Sequence, residues 1–123
     1  MQQISESEQI LMKIIWKNGG TALYSQIMEE LEKDHNEWKK NTVLTLLSRL
    51  VEKGYLQTGK IGRRNEYRAV VAEQEYRAKQ TRTFLDKVYE GNVGGLVATL
   101  LQQNVLSEEE LKEIEAFWER RKS

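Results

Sequence analysis

The sequence contains no cysteine. Disulfides, thiol catalysis, iron–sulfur clusters and thiolate metal sites are therefore excluded, and stability has to come from packing. Histidine is almost as scarce. The single one, His35, lies in a polar stretch with no other histidine or thiol to join it, so neither a nucleophile–base pair nor a copper or zinc site is expected. The carboxylate pairs Glu29/Glu30 and Glu108/Glu109 fall on solvated helix faces or at helix starts, where they favour the helix dipole. No enzyme, metal or cofactor is expected. No apolar run approaches the roughly 20 residues that span a bilayer, and "MQQISESEQ" is too polar and acidic for a secretory signal. A soluble, cytoplasmic protein without membrane contact is the expectation.

An excess of charge of either sign is also missing: 19 basic residues balance 19 acidic ones. A neutral chain argues against a polyanionic partner until the distribution is considered. Between Lys39 and Arg68 stand Lys39, Lys40, Arg49, Lys53, Lys60, Arg63, Arg64 and Arg68, opposed only by Glu52 and Glu66, a local net charge of +6. The compensating acid lies in "EELEKDHNE" and "SEEELKEIEAFWE". So local an asymmetry marks a focused patch.

At 123 residues the chain has room for one main core with a small appendage. Ser5 followed by Glu8 is a capping-box signature, and Ile10, Leu11, Ile14 and Ile15 repeat at helical spacing until "NGG" at residues 18–20. A short extended segment is expected at Thr21 to Leu23, then a second helix on Ile27, Met28 and Leu31. In "KKNTVLTLLSRLVEKGYL" the residues Val43, Leu46, Leu47, Leu50 and Val51 form one stripe of a third helix, with Gly54 as its left-handed stop. Beyond it the period changes to two. "YLQTGKIGRRNEYRAVV" predicts two antiparallel strands around a glycine- and arginine-rich turn. A mostly polar helix over 72–89 follows, with Phe84, Leu85 and Val88 crowded at its end. "GNVGG" breaks it, and two short apolar helices close the chain, the last opened by Ser107 and Glu110.

Three helices and a hairpin, the third helix amphipathic, make the layout of a winged helix-turn-helix. The outer face of the third helix carries Asn41, Thr42, Thr45, Ser48 and Arg49, preceded by Lys39 and Lys40. Amides, hydroxyls and a guanidinium pair with base edges and phosphates at close range, which a carboxylate-rich surface would repel. The plainer alternative is a solvated helix that lacks acids by chance; the local charge and the hairpin favour DNA. Arg63 and Arg64, flanked by Gly62 and Asn65, project from the turn as a cationic wing suited to phosphate or a narrow minor groove.

In the C-terminal part Leu96, Val97, Leu100, Leu101, Leu111, Ile114, Phe117 and Trp118 present more apolar surface than two short helices can shield. A second copy of the chain, related by a two-fold axis, is the expected cover, against the alternative of folding back on the first core. Residues 1–71 are thus expected to form a DNA-binding domain and 72–123 a helical dimerisation region. The fold class is mainly α with a small β-hairpin wing. The rival function is a winged-helix module that binds protein instead of DNA.

"SEQILMKIIW", "NTVLTLLSRLVEKGYL", "RNEYRAVV" and "FLDKVYEGNVGGLVATLL" together resemble the BlaI/MecI family of penicillinase and methicillin-resistance repressors, with which the copper-responsive CopY repressors are grouped. The resemblance covers essentially the whole chain. It implies a homodimeric transcriptional repressor on a double-stranded operator with inverted TACA/TGTA-type half-sites, read by the third helix. Thr42, Thr45 and Arg49 match the family's recognition positions, whereas Leu44 stands where many relatives carry arginine or lysine. The β-lactam branch further implies a sensor-controlled protease that cuts an Asn-Phe bond, to which Thr99-Leu100 corresponds here. The cysteine pattern of the copper branch is missing.

Overall fold

The first helix, α1 (Glu6–Lys17), starts where the Ser5 side chain and the Glu8 side chain cap one another's backbone. The Glu8 N–H donates to Ser5 Oγ at 3.1 Å and the Ser5 N–H to Glu8 Oε1 at 2.7 Å, satisfying two donors that a helix start leaves open. These and the following observations come from a computed structural model, which describes residues 2–122. The strand β1 (Thr21–Leu23) leads directly into α2 (Tyr24–Lys33), and α3 (Lys40–Glu52) follows a short polar turn. His35 sits in that turn with φ +57°, in the left-handed position after α2, its N–H donating to Glu32 O at 3.1 Å.

The stripe of α3 is buried as its spacing predicts: Val43, Leu46, Leu47 and Leu50 lie in the core and Val51 packs against it. Gly54, at φ +86°, turns the chain out of the helix. The Tyr55 N–H then donates to Leu50 O and the Gly54 N–H to Val51 O, so the last carbonyls of α3 are used. This places Tyr55 and Leu56 in the core beside Leu11, Ile15 and Ile27.

The expected hairpin is β2 (Leu56–Ile61) and β3 (Arg64–Ala69), paired from Leu56↔Ala69 to Ile61↔Arg64. The sheet has a third member. β1 pairs antiparallel with the other edge of β3, Ala22 opposite Tyr67, giving the order β1-β3-β2. Three antiparallel strands and the helices α1 to α3 make a winged helix-turn-helix.

After the sheet, Trp16 Nε1–H donates to Val71 O at 2.9 Å, and Tyr76 packs on Trp16 and Tyr55 at ring separations of 5.4 and 6.1 Å. Tyr76 belongs to α4 (Glu73–Tyr89), of which it is the only buried residue. The chain divides into two compact units inside this helix, between Arg77 and Ala78. The second unit contains the rest of α4, α5 (Val93–Gln102) and α6 (Glu108–Lys122). Asn92 caps α5, and Ser107 with Glu110 forms the capping box expected for α6. Neither α5 nor α6 has a buried residue.

Candidate nucleic-acid interface

Burying the stripe of α3 against α1 and the sheet leaves the opposite face in solvent. Lys39, Lys40, Asn41, Thr42, Thr45, Ser48 and Arg49 are all exposed there, and Leu44 is half-buried at the edge. No acidic residue occupies the first turn of α3, and its N-cap, Lys39, offers no side-chain acceptor to the free N–H groups. That helix start therefore combines a positive dipole end, open donors and two lysines, an arrangement that attracts anions. Thr45 Oγ1–H donates back to Asn41 O at 2.8 Å, which holds the hydroxyl along the helix.

The wing adds a second cationic element. Gly62, at φ +64°, and Arg63 form the turn between the paired residues Ile61 and Arg64, and both arginines are exposed. With Asn65 they line a cleft of about 360 Å³ whose other wall is Leu23, Tyr24 and Ser25 at the start of α2. The burial of Tyr24 and Tyr67 raises both phenols above their ordinary value, so at neutral pH neither phenol carries negative charge.

The cations of the 39–68 stretch do not all face outward. Lys53, counted with the patch by sequence, turns inward: its Nζ donates to Glu8 Oε1 at 2.8 Å and to Gln3 O at 3.1 Å. Arg68 lies 3.7 Å from Glu66. Among the described residues Lys39, Lys40, Arg49, Lys60, Arg63 and Arg64 have no ion-pair partner. Six unopposed cations on α3 and the wing are thus available to a polyanion, with the seventh and eighth engaged within the protein.

Glu8 is the element that sequence reasoning missed. Its sequence signature is that of a helix cap and says nothing of burial, yet it is 1% exposed. Burial alone would raise its carboxyl; hydrogen bonds from Lys53 and Ser5, with the ammonium charge, outweigh this and hold it below the ordinary glutamate value. Only Oε1 is used. Oε2 is buried without a hydrogen-bond partner.

In the second unit Val97, Leu101, Ile114, Phe117 and Trp118 are exposed, while Leu96, Leu100 and Leu111 are half-buried. The Thr99-Leu100 peptide lies inside α5, with Thr99 Oγ1–H bonded to Gly95 O at 3.1 Å. Among the described residues no helix is long and apolar enough to cross a membrane, and no cluster of three or more histidine, aspartate or glutamate side chains is placed to hold a metal.

Comparison with known proteins bears on both units. A family model described as "Penicillinase repressor" matches residues 4–120. The penicillinase repressor of Bacillus licheniformis is 33% identical over 121 residues, covering 98% of this chain and 93% of that protein. The methicillin resistance regulatory protein MecI of Mammaliicoccus sciuri is 31% identical, covering 91% and 89%. Among solved structures, the solution structure of the DNA-binding domain of the repressor BlaI superposes with a TM-score of 0.53 at 36% identity, over 60% of this chain and 88% of that one. That of monomeric Bacillus licheniformis BlaI in complex with the blaP half-operator gives 0.52, also at 36% identity, over 61% and 89%.

Proposed function

The chain belongs to the penicillinase repressor family, and from that premise we propose that it is a DNA-binding transcriptional repressor, a regulator without enzymatic activity, acting as a homodimer on a palindromic operator. The observation that carries this reading is the outward face of α3: exposed amide, hydroxyl and guanidinium groups with no carboxylate among them until Glu52, on a helix whose other face is fully buried. Such a face enters a major groove without repelling phosphate. Asn41, Thr42, Leu44, Thr45, Ser48 and Arg49 read bases, Leu44 by apolar contact with a thymine methyl. Lys39, Lys40, Arg63 and Arg64 hold phosphate on either side.

Residues 1–71 serve as the reading head and 72–123 as the dimerisation region. The exposed side chains of Val97, Leu101, Ile114, Phe117 and Trp118 support a second copy as the cover for this unit. Two heads joined in this way bind with an avidity about 10²–10⁴ above that of one, without a new contact to DNA. The repressor acts in the cytoplasm, and a sensor-controlled protease that cuts at Thr99-Leu100 would lower occupancy by separating the heads. Because that bond lies within α5, cleavage requires local unwinding first.

Selection of bound duplexes from a random pool with the purified full chain tests the function. An inverted repeat should be enriched, and affinity for it should fall log-linearly with salt, with a slope of roughly −4 per head if the four phosphate-holding cations each meet a phosphate. A pool with no enriched sequence, or binding indifferent to salt, refutes the reading.

A further inference from the structure

The N-terminal segment is tied across the end of the proposed reading helix. Tyr55 Oη–H donates to Gln2 O at 2.6 Å and Lys53 Nζ to Gln3 O at 3.1 Å, while Lys53 also holds Glu8 Oε1 at 2.8 Å. Between this segment and α3 lies a cleft of about 440 Å³ lined by Gln2, Ser5, Glu8, Arg49, Glu52 and Lys53. Two of these lining residues carry an unmatched group. Glu8 Oε2 is a buried carboxylate oxygen with no donor, in a residue 1% exposed; Arg49 is a guanidinium with no ion-pair partner. A buried acceptor left open calls for an explanation, because its desolvation is uncompensated.

We propose that Glu8 is a positioning residue for Arg49: its free Oε2 accepts a hydrogen bond from one edge of the Arg49 guanidinium when the other edge meets DNA. This rests on the DNA-reading function proposed above. A guanidinium has five donors in a fixed plane, so anchoring one edge aims the other. Arg49 stands one helical turn before Lys53, on the same face of α3, which puts it next along the helix from the ammonium that Glu8 already holds. Glu52 is the other carboxylate on the cleft, but it is exposed, and water weakens its claim on the guanidinium. The division of labour follows. Lys53 neutralises Glu8 from within through Oε1, and Oε2 remains to orient the cation that reads DNA.

Glu8→Gln separates this role from a structural one. The Ser5 and Lys53 donors both need an acceptor, so the amide oxygen takes the place of Oε1 and the NH₂ group takes that of Oε2, where it cannot accept from Arg49. Operator affinity of the full-length protein is measured for wild type, Glu8→Gln, Arg49→Ala and the double variant, on the selected operator and on one altered at the base pair whose identity Arg49→Ala ceases to distinguish. Glu8→Gln should weaken specific binding about tenfold, the loss of one charge-assisted bond, and reduce discrimination at that base pair. In the Arg49→Ala background it should have no further effect. Losses that multiply independently, or wild-type affinity in Glu8→Gln, overturn the proposal. A second measurement needs no variant: the Glu8 carboxyl, titrated by NMR in the wild type, should drop further on operator binding as Arg49 docks, and an unchanged titration also overturns it. If the wild type shows no operator preference at all, the DNA-reading function fails, and this inference with it.

Discussion

Replacing Glu8 by alanine removes the Ser5 cap acceptor and the Lys53 partner together. Loss of a capping interaction costs about 1 kcal/mol. Breaking a fully buried pair costs about 3–5 kcal/mol, but the Lys53 side chain retains 23% exposure and reaches water, so about 1–2 kcal/mol is the fitting share here. The sum is about 2–3 kcal/mol, which for a unit of this size lowers the melting temperature by about 10–20 °C. Lys53→Met should be at least as harmful, because it strands a carboxylate in a site that is 1% exposed, whereas Glu8→Leu combined with Lys53→Met removes both charges and should recover part of the loss. Acid supplies an independent check. A carboxyl held below its ordinary value of about 4.3 contributes stability that is complete above that value and disappears as pH falls through the lowered one. The stability gap between wild type and Glu8→Gln should therefore be constant near neutrality and narrow as the solution is acidified. Calorimetry or denaturant titration across pH measures it. A Glu8→Ala loss under 1 kcal/mol, or a gap that is the same at acid and neutral pH, would falsify this account of the pair.

Leu47→Ala and Leu50→Ala, at core positions fully shielded from solvent, should each cost about 2–5 kcal/mol by thermal melting, and should alter DNA binding only where the protein is partly unfolded. Gly54→Ala meets no atom within 4 Å, so its cost, about 1–2 kcal/mol in the same assay, reflects the left-handed backbone alone. Arg63→Ala and Arg64→Ala should each flatten the logarithmic salt slope of binding by about one unit without lowering the melting temperature. Trp118→Asp, at a side chain 59% exposed in the single chain, should shift sedimentation at micromolar concentration from dimer to monomer; an unshifted boundary would count against the C-terminal dimer.

Local chemistry is legible in the linear chain. The stripe Val43, Leu46, Leu47 and Leu50 is legible because helix geometry repeats every 3.6 residues, so one buried face imposes its period on the chain. The Ser5/Glu8 and Ser107/Glu110 boxes and the Gly54 stop are equally local, each spanning no more than a turn or two of backbone. The outer face of α3, free of carboxylates up to Glu52, and the arginine-rich wing are visible for the same reason: they are contiguous in sequence, and the period says which side of each element faces water.

Tertiary structure decided whatever depends on closure between distant segments. Glu8 reads only as a helix cap until Lys53, 45 residues later, closes over it, and the ion pair then removes a cation from the patch that a simple count assigns to it. The pairing of Ala22 with Tyr67 leaves no trace in either segment, because an edge strand of three residues has no period of its own to display. Tyr76, in a mostly polar helix, is core only because Trp16 and Tyr55 meet it there. In each case the decisive contact is bought by the collapse of the whole unit, so no window of sequence holds both partners.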